Sequence, residues 1–169
     1  RSWYVGSLSK TLSAALRFGY VVCPSGMGEA GRLTAQHGFF ALGRPVSDLC
    51  LDLFTSGEAA RLRGLVQTEF ADRILGLVNA LGAYDLSWQP GLPFVWLRLP
   101  SGWRASTFAR MAEAEGVLIR SADEYALIHG RAPNAVRLAI AGGIARPVFD
   151  AAVQRLALLL ARPPAELAV

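Results

Sequence analysis

The hydrophobic period of this chain changes twice, and that change constrains the fold more than any single residue. From Ser56 to Leu81, the residues Leu62, Leu65, Val66, Phe70, Ile74, Leu77, Val78 and Leu81 recur at helical spacing, which marks one apolar stripe on an amphipathic helix. Thr55-Ser56-Gly57-Glu58 reads as a capping box, with Thr55 as N-cap and Glu58 reaching back, and Gly82 as a C-terminal stop. A helix of about 26 residues is nearly 40 Å long, which suits a strut between two lobes.

On either side the pattern turns to short β runs. Ahead of the helix, Trp3 to Gly6 reads as a short buried strand and Arg17 to Val22 as a second β run, around the small-residue turn Gly6-Ser7-Leu8-Ser9-Lys10. Two helical pieces follow between Met27 and Phe54, broken at Gly43-Arg44-Pro45. Behind the helix, Tyr84, Leu86 and Trp88 alternate with polar residues, Pro90-Gly91 turns, and Phe94 to Leu99 returns as a more buried strand. Trp88, Phe94 and Trp96 then read as a core hairpin. A helix over 104–115, a strand over 117–120, a loop over 121–134, a strand over 135–141 and a last helix opened by Pro147 and ended by Pro163-Pro164 complete the pattern. The second half is expected to be an α+β lobe on a small antiparallel sheet.

Composition narrows the class. Of 169 residues, 53% are hydrophobic and only 18% are charged, which excludes a disordered chain and leaves apolar surface to be covered by something else. Every apolar stretch is interrupted before about 18 residues, so no membrane span is expected. No leader is visible and no Met opens the chain, which reads as a piece of a longer one. Two cysteines are too few for a disulfide scaffold and read as reduced thiols in a cytoplasmic protein. The net charge of +4 comes from scattered arginines without a basic run, so no nucleic-acid tail is expected.

Among the 17 basic side chains, Lys10 is the one lysine. Where the chain needs only positive charge it uses Arg, so a retained lysine suggests a need for an amine, which can act as a nucleophile once desolvated. A plain surface lysine is the competing reading. Ser7, Ser9 and Arg17 together offer two hydroxyls and a planar fork that matches phosphate oxygens; a solvated turn is the alternative. Arg137 shares a strand face with Ala135 and Ala139, which leaves room for it to reach a carboxylate. The alternative is the solvent face of an edge strand. His37 and His129 have no partners at metal spacing, so no metal site is assigned. Asp123-Glu124 reads as a solvated acidic pair in a loop.

Tyr4-Val5-Gly6-Ser7-Leu8-Ser9-Lys10-Thr11-Leu12 with Leu16-Arg17-Phe18-Gly19-Tyr20 resembles the lysine segment of fold-type I pyridoxal 5'-phosphate (PLP) enzymes. The match is to class I/II aminotransferases and the aminotransferase-like domain of MocR-type GntR regulators. Phe94 to Pro100, Glu115-Gly116-Val117 and Asn134 to Leu138 resemble that family's small domain, in order. The resemblance implies an α/β architecture: the C-terminal part of a PLP-dependent transferase fold. Residues 1–56 would be the tail of the large PLP-binding domain, and 57–169 the linking helix and small domain.

Carried over by position, Lys10 would bond to PLP and move the proton at the substrate Cα. Beside Lys10, which would bind the cofactor itself, Ser7, Ser9 and Arg17 would hold the cofactor phosphate, and Arg137 would take the carboxylate of an amino-acid-like ligand. The family's aspartate, stacked aromatic and asparagine around the cofactor ring lie upstream of the lysine and have no counterpart here, as does most of the large domain's sheet. The 169-residue chain alone is therefore expected neither to bind PLP tightly nor to transaminate; a visible absorption band removed by borohydride would contradict this.

The resemblance implies a homodimer when intact and two competing functions. One is the effector domain of a MocR-type transcriptional regulator, with DNA bound only through an upstream domain; the phrase Tyr4 to Lys10 and the Arg-rich small domain look slightly more like this one. The other is a free-standing aminotransferase acting on an amino acid and a 2-oxo acid. A plain α+β domain with an incidental Lys10 is the third reading.

Overall fold

The computed structural model describes residues 2–36, 42–140 and 142–162. His37, Ala141 and Pro163-Pro164 lie outside the described residues. The chain divides into two compact units, 1–67 and 68–169.

In the first unit, β1 (Tyr4–Ser7) pairs antiparallel with β2 (Gly19–Val22). Helices α1 (Gly28–Gln36) and α2 (Arg44–Thr55) follow, and α3 (Glu58–Leu81) begins here. The two expected helical pieces are thus present, and Pro45 sits in the first turn of α2, where its missing N–H costs nothing. The unit buries little: among its described apolar side chains only Leu8 and Cys50 are buried. Val5 is 75% exposed and its cross-strand partner Val21 is 57% exposed.

The capping box is corrected. The Thr55 hydroxyl donates back to the Leu51 carbonyl at 2.9 Å, so Thr55 closes α2 rather than opening α3. Gly57 turns the chain at φ +81°, and Ser56 Oγ accepts from Glu58 N–H at 3.3 Å. The Glu58 carboxylate reaches forward to Arg61 instead of back. The apolar stripe of α3 is also shorter than expected. Ile74, Leu77 and Leu81 are buried, whereas Leu65 is exposed.

The second unit is a four-stranded antiparallel sheet in the order β3-β4-β6-β5, formed by β3 (Asp85–Ser87), β4 (Phe94–Arg98), β5 (Arg120–Ser121) and β6 (Ala135–Ala139). Helices α4 (Ala105–Ala114) and α5 (Arg146–Leu160) join the second half of α3 around one core. Val95, Leu97, Val136 and Leu138 enter that core from the sheet, and Phe108, Phe149, Val153 and Leu156 from the helices. Burying one such aliphatic or aromatic side chain contributes about 1.5–3 kcal/mol, so this unit carries its own stabilisation. The expected α+β lobe is therefore present.

Three readings change here. Val95 and Leu97 are the core residues of β4, while Phe94 and Trp96 sit half-buried on its other face and Trp88 is exposed. The strand expected over 117–120 contracts to Arg120–Ser121, although Val117 and Ile119 remain buried. The loop after it begins with a 3₁₀ turn, Ala122–Tyr125, capped by Ser121 Oγ accepting from Asp123 N–H at 3.3 Å. The acidic pair is exposed, as expected, and is also engaged: Asp123 accepts from the Ser121 hydroxyl at 2.7 Å, and Glu124 pairs with Arg120 at 3.0 Å. Arg73 is an unexpected buried charge, 4% exposed, paired with Glu69, donating to the Ile144 carbonyl at 2.7 Å and packed over Phe149.

Candidate functional site

Leu8 anchors the lysine turn. Its side chain is buried, its N–H donates to the Phe18 carbonyl at 3.0 Å, and its carbonyl accepts from the N–H groups of Thr11, Leu12 and Ser13. One carbonyl serving three donors winds the chain tightly directly after β1. Ser7 Oγ accepts from Ser9 N–H at 3.0 Å, an ST turn that brings Ser7 and Ser9 together. That bond leaves the Ser7 hydroxyl hydrogen available to donate. Lys10 follows, exposed at the turn.

The return path is equally short. Ser13 Oγ caps the 3₁₀ turn Ala14–Leu16 by accepting from Ala15 N–H at 3.2 Å. Arg17 ends that turn in the left-handed region, φ 49°, the one described non-glycine residue with positive φ. This conformation costs a non-glycine residue about 1 kcal/mol or more. It ends the turn just before Ser7 and Gly19 pair.

The register thus places Ser7, Ser9 and Arg17 at one end of the hairpin, although no side-chain hydrogen bond joins Arg17 to either serine among the described residues. Segment 7–19 holds two cations and no acid, so nothing within the turn neutralises Arg17. A hydroxyl, a guanidinium without an acidic partner among the described residues, and a primary amine on one turn form a donor set that fits a phosphate-bearing aldehyde such as PLP. Beside the turn, Tyr20 packs over Gly6, where a Cβ would meet its ring at 2.4 Å, so a larger residue there would displace the ring. A hydrogen bond to Tyr4 raises the Tyr20 phenol above the ordinary tyrosine range.

Arg137 lies in the second unit. Strand β6 is not an edge strand: it pairs with β4 on one side and β5 on the other, with Arg137 opposite Trp96 and Arg120. The alternation expected from sequence holds, with Val136, Leu138 and Ile140 in the core and Arg137 half-buried on the other face. Its guanidinium carbon lies 4.7 Å from the centroid of Phe94 and 4.5 Å from that of Tyr125. Tyr125 meets Trp96 edge-on at 5.6 Å. Arg137 Nε is enclosed and makes no hydrogen bond among the described residues.

Leaving such a donor unpaired costs about 1–3 kcal/mol, and each cation–π contact returns about 0.5–2 kcal/mol. Among the described residues no carboxylate pairs with Arg137. Asn134 keeps the entry to β6 in place: its Oδ1 accepts from Ala105 N–H at 2.9 Å and its Nδ2 donates to the Trp103 carbonyl at 2.8 Å.

Sequence reasoning missed the rings around Arg137. Phe94 and Trp96 alternate with the core residues Val95 and Leu97, so they were bound to share the face that β6 gives to Arg137. Tyr125 carried no such signal because its 3₁₀ turn was read as loop. Among the described residues no group of three His, Cys, Asp or Glu side chains is placed to hold a metal, Cys23 and Cys50 are free thiols, and no helix is long and apolar enough to cross a membrane.

No family model matches the chain, and no curated protein matches it with significance. Solved structures do. An α-aminoadipate aminotransferase from Thermus thermophilus, complexed with N-(5'-phosphopyridoxyl)-L-leucine, superposes with a TM-score of 0.79 at 24% identity, over 94% of this chain and 41% of its own. A kynurenine aminotransferase from Pyrococcus horikoshii gives 0.80 at 18% identity, over 94% and 40%. A decarboxylase from Sulfurospirillum multivorans gives 0.67 at 22% identity, over 94% and 43%. The chain therefore has an α/β fold shared with solved aminotransferases over nearly its whole length, and it spans about two fifths of theirs.

Proposed function

We propose that this chain is the C-terminal, lysine-bearing part of a PLP-dependent protein that acts on amino acids, with residues 1–56 belonging to the large cofactor-binding domain and 57–169 forming the linking helix and small domain. The observation that carries the reading is the Lys10 turn, with its hydroxyls and an Arg17 that has no acidic partner among the described residues, on a fold shared with PLP-handling enzymes over 94% of the chain.

In this reading Ser7 and Ser9 donate hydroxyl hydrogen bonds and Arg17 a charge-assisted fork to the cofactor phosphate. The Lys10 amine would hold the cofactor, and the same amine would move the proton at the substrate Cα. PLP supplies the electron sink for the pair left at Cα. Arg137 fixes the amino-acid carboxylate, and its lack of an acidic partner among the described residues leaves its charge for the ligand.

That the fold neighbours named above are enzymes favours an aminotransferase exchanging an amino group between an amino acid and a 2-oxo acid. The sequence phrase around Lys10 favours the effector domain of a MocR-type regulator as the second reading. In either case the intact protein is expected to be a cytoplasmic homodimer.

The experiment uses the full-length protein with added PLP, an L-amino acid and a 2-oxo acid. Binding seen as a visible absorption band, lost in Lys10→Ala, with amino-group transfer falling by at least about 10²–10⁴-fold, supports the enzyme. Lysine-dependent PLP binding without transfer, but with altered DNA affinity, supports the regulator. PLP binding unchanged in Lys10→Ala overturns both.

A further inference from the structure

Arg137 is held by rings instead of by an acid. Phe94 and Trp96 project from the same face of β4, Arg137 stands opposite Trp96 on β6, and Tyr125 comes from the 3₁₀ turn beside β5. The guanidinium carbon packs over Phe94 at 4.7 Å and over Tyr125 at 4.5 Å, and the edge-on contact with Trp96 orients the Tyr125 ring in turn. Of the guanidinium nitrogens only Nε is enclosed without a partner. A carboxylate can therefore not bridge Nε and one Nη; it must meet the Nη1–Nη2 end.

An arginine paired with an acid has its charge offset by that acid, whereas one packed between rings keeps it for a ligand. From this geometry we propose that Tyr125, together with Phe94, is a positioning residue: its ring fixes the Arg137 guanidinium so that a ligand carboxylate docks end-on, and it thereby sets the preference for amino acids over their uncharged amides. This deepens the carboxylate-binding role of Arg137 and rests on it. The ring of Tyr125 performs the role and its hydroxyl does not, since both contacts involve the ring.

The test uses the PLP-loaded full-length protein. The twenty common L-amino acids are titrated from cofactor absorbance, and the best responder is compared with its own amide. Tyr125→Leu should weaken the amino acid about tenfold and leave the amide unchanged, and Tyr125→Phe should recover most of the loss. Arg137→Leu should abolish the preference outright.

An unchanged amino-acid to amide ratio in Tyr125→Leu, with the preference lost in Arg137→Leu, overturns the positioning role alone. An unchanged preference in Arg137→Leu, or no response to any amino acid, overturns the underlying reading as well. A loss in Tyr125→Phe equal to that in Tyr125→Leu assigns the effect to the hydroxyl and overturns the ring. Should Tyr125→Leu not fold, proton exchange at Arg137 Nε in the unaltered protein decides. Exchange slower than at exposed arginines supports the clamp, and equal exchange overturns it.

Discussion

The two units bear their chemistry on opposite kinds of support. In the second unit β4 and β6 are central strands over a core drawn from three helices, and Arg137 rises from that rigid sheet. In the first, the lysine turn hangs on a two-stranded ribbon whose Val5 and Val21 face outward, with only Leu8 and Cys50 buried among the described apolar residues. An isolated pair of strands is marginal by itself. The strand that bears Arg137 is thus stabilised from within this chain, while the lysine turn has little of its own to hold it.

The largest expected difference is in amide exchange. The N–H groups of Val95, Leu97, Val136 and Leu138 should exchange about a hundredfold or more slowly than those of Val5 and Val21, because core strands open only with their unit. Similar rates measured by mass spectrometry or NMR would break the contrast. Side-chain truncation should follow the same order. Leu97→Ala removes a fully buried side chain and should cost about 2–5 kcal/mol in urea unfolding, against less than about 0.5 kcal/mol for Val5→Ala. Equal costs would mean that the ribbon has cover the burial does not reveal.

Arg73→Ala, which strips the buried guanidinium from Glu69 and the Ile144 carbonyl, should cost about 1–3 kcal/mol. A loss under 0.5 kcal/mol, about the usual surface effect, would show that Arg73 does little for the second unit.

The smallest effect is a pH dependence at the start of α3. Arg61 holds the Glu58 carboxyl below its ordinary range. A carboxylate whose pKa is lowered by folding adds stability above its unfolded pKa and loses it as pH falls through the lower native value. The Glu58 side chain is exposed, so salt screens the pair and its contribution is small. An NMR titration should put the Glu58 midpoint below that of an ordinary glutamate; a midpoint at or above it would remove the pair from the account.

Much of the architecture was legible in sequence, since periodicity of 2 and 3.6 records which side chains face a core. It located the lysine hairpin, α3, α4, α5 and the face of Arg137. It went wrong where local chemistry had two partners to choose from. Thr55 bonded back to Leu51 instead of capping α3, and Ser121 capped a 3₁₀ turn within an expected loop. The sequence pattern around Phe94 and Trp96 suits a core hairpin because no positive charge is interleaved with the rings, but the pleat gives the core to Val95 and Leu97. Residue type and order are what single out Lys10, Ser7, Ser9 and Arg17 in the sequence. Tyr125 was not found, because its contact with Arg137 joins two distant stretches whose register only the folded sheet supplies.

The central claim is that Lys10 carries the cofactor, and it is the one lysine of this chain. Borohydride reduction of the PLP-loaded full-length protein, followed by peptide mass mapping, tests it most directly. A phosphopyridoxyl group on Lys10 is expected. Label on a different lysine, or none at all while PLP remains bound, would contradict it.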